Sequence, residues 1–296
     1  MLMKRGVLYS LIIALIVISI LVLVQKNKLE NEVPFVKYEN SLDNNKEEIV
    51  SEANQEYFIQ GNDDIGVMMI HGFGASPQQT KELAEFLAEK NITVYAIRVP
   101  GHGTNLDDME SKRWEDWYSE VEEKFESFDQ QTKKTYVLGI SGGALLTLNL
   151  ASNKTLDGII VIAPPIFFQD NKMNYVEIYK YIERYHYFGI EESQIGYAYE
   201  NLPTKSIAEL SEFGRVTKKN LNKIIEPILI LQSNMDTLVN PKSAKYVLEN
   251  VNSEQREIWW VNKLGHVIIR KYDGEEGTFD LERRNVYNKI LSFILQ

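Results

Sequence analysis

The sequence predicts an α/β protein: a doubly wound, mostly parallel sheet with a helical cap insertion, preceded by an N-terminal transmembrane helix. Three observations predict it. From residue 55 on, short β-branched runs alternate with helical patterns, the signature of parallel strands joined by crossover helices. Residues 164–220 interrupt that rhythm with no clear core strand, as an insertion would. Residues 7–24 form an apolar run of 18 residues broken only by Tyr9, Ser10 and Ser19.

The elements follow in chain order. As a helix, the 7–24 run would extend about 27 Å at 1.5 Å per residue, close to the hydrocarbon thickness of a bilayer. Lys4 and Arg5 precede it, and Lys26 and Lys28 follow. The alternative is a cleaved signal peptide. The run is longer than a usual signal core and ends in Leu-Val-Leu-Val-Gln-Lys without a small-x-small cleavage site. An uncleaved anchor over residues 1–25 is therefore expected. The leading positive flank favours an extracytoplasmic main domain, against which Lys26 and Lys28 pull. Residues 26–54 are polar, rich in Asn, Glu and Lys, and read as a tether.

The main domain spans residues 55–296. Strands are expected at 66–70, 93–99, 135–138, 158–163, 228–232 and 257–261. Helices are expected at 78–90, with Leu83, Phe86 and Leu87 on one face, and at 114–128, 142–151, 241–250 and 281–295. The interruption at 164–220 lies between two core strands and reads as a helical cap. Seven of the sixteen tyrosines fall within 171–199. They could line an apolar pocket or pack the cap onto the sheet.

Composition narrows the chemistry. The chain is 44% hydrophobic and 25% charged, as an ordinary globular protein is. Formal net charge is −10, and the part beyond residue 24 carries −12 because Lys4 and Arg5 are the only charges before it. Such a domain repels nucleic acid, which is set aside as a partner. With no cysteine there are no disulfides, thiolate metal sites or cysteine nucleophile. No cluster of His and acids has metal-ligand spacing, and no cofactor is implied.

In an open parallel sheet the chemistry lies at the carboxyl ends of the strands. Four segments there are informative. Gly139-Ile140-Ser141-Gly142-Gly143 is a G-x-S-x-G turn between a strand and a helix. Such a turn holds its serine strained, with Oγ exposed, and glycines flank it because a Cβ would strike the neighbouring chain. The N–H after the serine opens a helix, where developing negative charge is favoured. His71-Gly72-Phe73-Gly74 follows the first core strand and offers the Phe73 N–H as a second oxyanion donor. Asp236 stands four residues past the buried run 228–232 and is placed to orient a histidine. His266, in Gly265-His266-Val267, follows the last strand. The order Ser, Asp, His is the one this chemistry requires on a doubly wound sheet. Ser141 is the expected nucleophile, His266 its base and Asp236 the supporting acid.

These segments resemble the bacterial carboxylesterase and monoacylglycerol-lipase branch of the α/β hydrolases. The resemblance covers roughly residues 60–295 and includes Pro100-Gly101-His102-Gly103, Trp114-x-x-Trp117 and Asp236-x-x-Val239-x-Pro241. It implies a Ser141, Asp236, His266 triad, an oxyanion hole from the N–H groups of Phe73 and Gly142, and a small-molecule ester substrate. Gly142 departs from relatives that often carry a larger residue there, and the anchor is atypical of the soluble relatives.

His71 and His102 lie in strand-end turns and are expected to be structural, and His186 to pack within the cap. Asp107 and Asp108 are expected to be solvated. The same triad serves amide or thioester cleavage and acyl transfer, which the fold does not separate. A catalytically dead, membrane-tethered binding module is the reading from a different class.

Overall fold

In a computed structural model of the chain, residues 52–188, 196–270 and 277–296 are described, with Ile18 alone before them. The expected anchor and nearly all of the tether lie outside the described residues. Among the described residues, no helix is long and apolar enough to cross a membrane.

The sheet has seven strands: β1 (Tyr57–Ile59), β2 (Asn62–Ile70), β3 (Ile92–Ile97), β4 (Lys134–Ile140), β5 (Gly158–Ile162), β8 (Ile228–Ser233) and β9 (Arg256–Val261). Their spatial order is β1-β3-β2-β4-β5-β8-β9. Every pairing is parallel except β1 with β3. Two short strands, β6 (Tyr185–Tyr187) and β7 (Asn201–Pro203), pair with each other outside it.

The central strands are apolar because both faces are covered. Met68, Ile70, Val137, Ile159, Val161, Ile228 and Ile230 point to one face. Val67, Met69, Leu138, Ile140, Ile160, Ile162, Leu229 and Leu231 point to the other. The first face packs on α3 (Trp114–Asp129), α4 (Gly142–Ala151), α6 (Thr204–Asn220) and α7 (Lys242–Asn250) through Val121, Leu145, Phe213 and Val247. The second packs on α1 (Lys81–Ala88) and α8 (Thr278–Ile294) through Leu83, Leu87, Val286 and Ile290. Each such fully buried aliphatic side chain contributes about 2 kcal/mol.

Every helix and strand expected in the main sheet is present, with ends shifted by a few residues. Two elements before the insertion were not foreseen. The strand β1 is three residues long and stands on its pairing with β3 and on Phe58 packing against Tyr95 and Phe128. The helix α2 (Leu106–Ser111) starts where Asn105 Oδ1 accepts the Asp108 N–H. Asp108 was expected to be solvated; instead it accepts from Thr104 Oγ1 at 2.7 Å and pairs with Lys112 at 3.0 Å, so its carboxylate is engaged.

The segment between β5 and β8 is only partly a helical roof. It contains the short helix α5 (Val176–Tyr179), the β6–β7 pair and α6, the longest helix of the insertion. Leu210 and Phe213 of α6 belong to the main core. A separate cap core joins Met173, Val176, Leu202 and Ile207 to Met109, with Phe73, Phe168, Phe188 and Tyr199 against it. The tyrosines divide: Tyr175, Tyr179, Tyr181 and Tyr187 face solvent, while Tyr197 is buried.

Candidate active site

The four sequence segments converge on the carboxyl edge of the sheet. Ser141 closes β4 and opens α4, with φ 50° and ψ −115°. This is strained for a residue with a Cβ, and such strain survives only where the surroundings impose it. The Ser141 N–H donates to the Ile162 carbonyl at 2.8 Å, and the Ser141 carbonyl accepts from the Ala144 N–H at 2.8 Å. The flanking glycines have no room for a side chain. A Cβ on Gly139 would sit 2.2 Å from the Gly143 carbonyl oxygen, and one on Gly143 would sit 2.4 Å from the Ile70 oxygen.

Asp236 lies in the turn after β8 and is 3% exposed. Its carboxylate accepts four hydrogen bonds. Oδ1 takes the backbone N–H groups of Leu238 (2.9 Å) and Val239 (2.8 Å). Oδ2 takes Gln232 Nε2 at 3.0 Å and His266 Nδ1 at 2.8 Å. Burial alone pushes this carboxyl up. The His266 hydrogen bond and charge, with the Val239 and Leu238 N–H groups, outweigh burial and hold it below the ordinary carboxylate range. An ionised Asp236 is acceptor-only, so His266 carries its proton on Nδ1 and Nε2 is left as the basic nitrogen.

The loops bearing the acid and the histidine are fastened together. Ser233 Oγ donates to the Leu264 carbonyl and accepts the Met235 N–H. The Asn234 N–H donates to the Val261 carbonyl at 2.8 Å. Asp236 and His266 are thus brought into direct contact. Ser141 and His266 share the sheet edge, and no hydrogen bond joins Ser141 Oγ to His266 among the described residues.

Phe73 lies against Gly142: a Cβ on Gly142 would be 3.1 Å from the Phe73 nitrogen. The two expected oxyanion donors therefore sit side by side. The Phe73 ring packs edge-on to His102 and Trp117, 5.5 Å from each. Gln79, buried, accepts the Gly72 N–H at 2.7 Å and pins the same loop.

His71 and His102 are structural, as expected. His71 donates Nδ1–H to the Gly72 carbonyl and accepts the Val99 N–H on Nε2. Burial lowers its pKa to about 3, and burial lowers that of His102 to about 4. Both are neutral at pH 7. His186 packs edge-on to Phe188 within the cap.

Gln232, Ser233 and Gln79 were missed by the sequence reading. The available signal was polarity: Gln232 and Ser233 end a strand otherwise made of Ile and Leu. A surface cavity of about 320 Å³, lined by Asn234, Asn240, Pro241, Lys242, Lys245 and Trp260, includes neither Ser141 nor His266. Among the described residues no group of three or more His and acids could hold a metal ion.

Comparison with known proteins bears on the family and the fold. The family model described as serine aminopeptidase, S33 (Hydrolase_4) matches residues 62–187. A thermostable monoacylglycerol lipase of Bacillus sp. (strain H-257) is 31% identical over 222 residues, covering 74% of this chain and 89% of that one. A carboxylesterase of Bacillus subtilis (strain 168) is 24% identical over 236 residues, covering 78% and 92%. A solved structure described under the metagenome-derived lipolytic enzymes LipS and LipT superposes with TM-score 0.74 at 24% identity, covering 83% of this chain and 99% of that one. That last likeness speaks for the fold alone. With the 31% identical lipase matched over 74% of this chain and 89% of its own length, the chain belongs to the α/β-hydrolase family of carboxylic ester hydrolases in which these lipases and esterases are grouped.

Proposed function

We propose that the chain hydrolyses neutral carboxylic esters, monoacylglycerols among them, through a Ser141–His266–Asp236 triad and an acyl-enzyme. The observation that carries the reading is the 2.8 Å bond between His266 Nδ1 and buried Asp236. It fixes the tautomer in which His266 Nε2 can act as a base toward the serine on the same sheet edge. Ser141 Oγ attacks the ester carbonyl carbon and its proton passes to His266 Nε2. The alcohol leaves with that proton. Water, deprotonated by His266, then attacks the acyl-enzyme, releasing the acid and returning the proton to Ser141. The N–H groups of Phe73 and Gly142 receive the oxyanion, a contribution of about 3 kcal/mol per donor.

The acyl chain is assigned to the edge of the cap core, where part-buried Phe73, Phe168 and Phe188 pack against the cluster that holds Met173 and Leu202. This differs from a pocket built on the cap tyrosines. Phe167, Tyr175 and Tyr179 are open to solvent, and Phe167 packs edge-on to Tyr246 with the Lys218 ammonium over its face. Each methylene buried is worth about 0.8 kcal/mol, so activity should rise over short to medium chains and then stop. The net charge of −10 disfavours anionic esters. The apolar run at 7–24 supports attachment to a membrane with the catalytic domain outside.

The test combines a fluorophosphonate probe with p-nitrophenyl esters from acetyl to decanoyl. Wild type should label and turn over, Ser141→Ala should do neither, and Asp236→Asn should lose roughly 10⁴-fold in kcat. A Ser141→Ala protein keeping a tenth of the activity would refute the nucleophile. The family model's description favours a second reading, amide cleavage on the same triad. Turnover of peptidyl p-nitroanilides without ester turnover would select it.

A further inference from the structure

We propose that Gln232 is a positioning residue for the triad acid: its buried amide holds Asp236 Oδ2 and limits how strongly that oxygen binds the His266 proton. The proposal rests on the triad reading above.

Gln232 is fully buried in β8, four residues before Asp236. Its Nε2 has two hydrogens, and both are used. One goes to Asp236 Oδ2 at 3.0 Å and the other to the Ser233 carbonyl at 3.2 Å. That pattern settles the amide's orientation. Turned over, it would aim Oε1 at a carboxylate and a carbonyl, three acceptors with no proton between them. The cost of the orientation falls on Oε1, which is buried and has no partner among the described residues. An unsatisfied buried acceptor is unfavourable. An apolar side chain of the same length would fill the space and avoid it, so packing alone does not account for a glutamine here.

The effect falls on one oxygen. Oδ1 is bound by the backbone of its own turn, whereas Oδ2 is shared between Gln232 and His266. Asp236 and His266 are the titratable groups that meet there. Leu238 and Val239 face Asp236 with backbone N–H groups, and β8 contributes Gln232 alone. A donor on Oδ2 does two things. It keeps the carboxylate plane turned toward His266, and it draws off part of the charge that would otherwise hold an imidazolium. The base then gives up its proton to the leaving alcohol more readily.

The experiment compares wild type, Gln232→Met and Gln232→Leu in the intact chain. For each, kcat, KM and the pH profile of kcat/KM are measured with p-nitrophenyl butyrate, and thermal unfolding is recorded. Gln232→Met keeps the length without the donor. Its kcat should fall roughly tenfold or more, the scale on which partners of reacting groups act, with KM within about twofold. The acid limb should move to higher pH by roughly half a unit or more, because Oδ2 loses a hydrogen bond to its charged form. Gln232→Leu also removes the donor, in a shorter apolar side chain, so its acid limb should move in the same direction. It also covers the case in which Gln232→Met does not fold. An unchanged acid limb in either folded variant, with loss confined to KM or to the unfolding temperature, overturns the proposal. Ser141→Ala separates the two levels. If it still labels with the fluorophosphonate, the triad reading falls and takes this proposal with it. If it does not label and the limb stays fixed, the proposal alone fails.

Discussion

Gly142→Ala is a sharp probe of the oxyanion hole because the structure sets its size. A Cβ at residue 142 would lie 2.8 Å from Phe73 Cβ, 3.1 Å from its nitrogen and 3.3 Å from its Cα. Carbon atoms in contact prefer about 3.5 Å or more, so the gap must open by about 0.7 Å. None of the opposing atoms is the tip of a flexible side chain. The Phe73 ring is held between His102 and Trp117, so it cannot roll aside. The 71–74 loop must yield, and the Phe73 N–H moves with it. Complete loss of one oxyanion donor costs about 100- to 1,000-fold in kcat. A displacement of this size should cost roughly 10- to 100-fold in kcat with KM nearly unchanged, and the overpacking should lower stability by about 1–3 kcal/mol. Steady-state kinetics on p-nitrophenyl butyrate measure it. A Gly142→Ala enzyme with wild-type kcat would show that Phe73 and Gly142 do not hold the oxyanion together.

Two further outcomes are expected. Burial holds His71 and His102 neutral, with pKa values near 3 and 4 against an ordinary 6.5. Protons therefore bind the unfolded chain first. The stability from keeping them neutral is complete above pH 6.5 and is lost progressively toward pH 4 and then 3, by at most about 1.4 kcal/mol per pH unit for each histidine. In urea unfolding, His102→Asn should decline less steeply than wild type between pH 6.5 and 5, and an equal slope would contradict the assignment. The full-length chain should stay in the membrane fraction after a high-salt wash, and a chain lacking residues 1–26 should be soluble and active. Release of the full-length protein by salt would count against the anchor.

Legibility followed the physics of each element. The buried strands were readable because a run such as Ile228-Leu229-Ile230-Leu231 is apolar on both faces. Gly142–Ala151 was readable to its ends, since the G-x-S-x-G turn marks where a strand must become a helix. The Asp236–His266 contact was readable as an order of residues after strands, though its geometry came only with the fold. What stayed hidden depends on long-range pairing. The strand at 57–59 is too short to carry a period and is made by its neighbour. Gln232 was read as part of a strand, because nothing local says that a polar residue at its end faces a carboxylate. The tyrosines of 171–199 misled, since aromatic density reads as burial while four of those side chains face water.

The insertion is fastened at both ends to the parts of the site it covers. Its first residues are tied to the acid turn: the Asn240 N–H donates to the Phe167 carbonyl at 2.9 Å, the Gln169 N–H to Leu238 at 3.0 Å, and Gln169 Nε2 to the Asp236 carbonyl at 3.2 Å. Its later residues are tied to the oxyanion loop. The Tyr199 N–H donates to the Gly74 carbonyl at 2.8 Å, Leu202 packs where a Gly74 Cβ would be, and Asn54 links the Gly196 carbonyl to Ser76 Oγ. Opening the segment at either end would break hydrogen bonds that also set Asp236 or Phe73. The cap segment, the turn bearing Asp236 and the 71–74 loop are therefore mechanically linked. Under the proposed function, a side chain such as Leu202, which touches the 71–74 loop directly, would bear on the acyl chain and on the donor beside it at once.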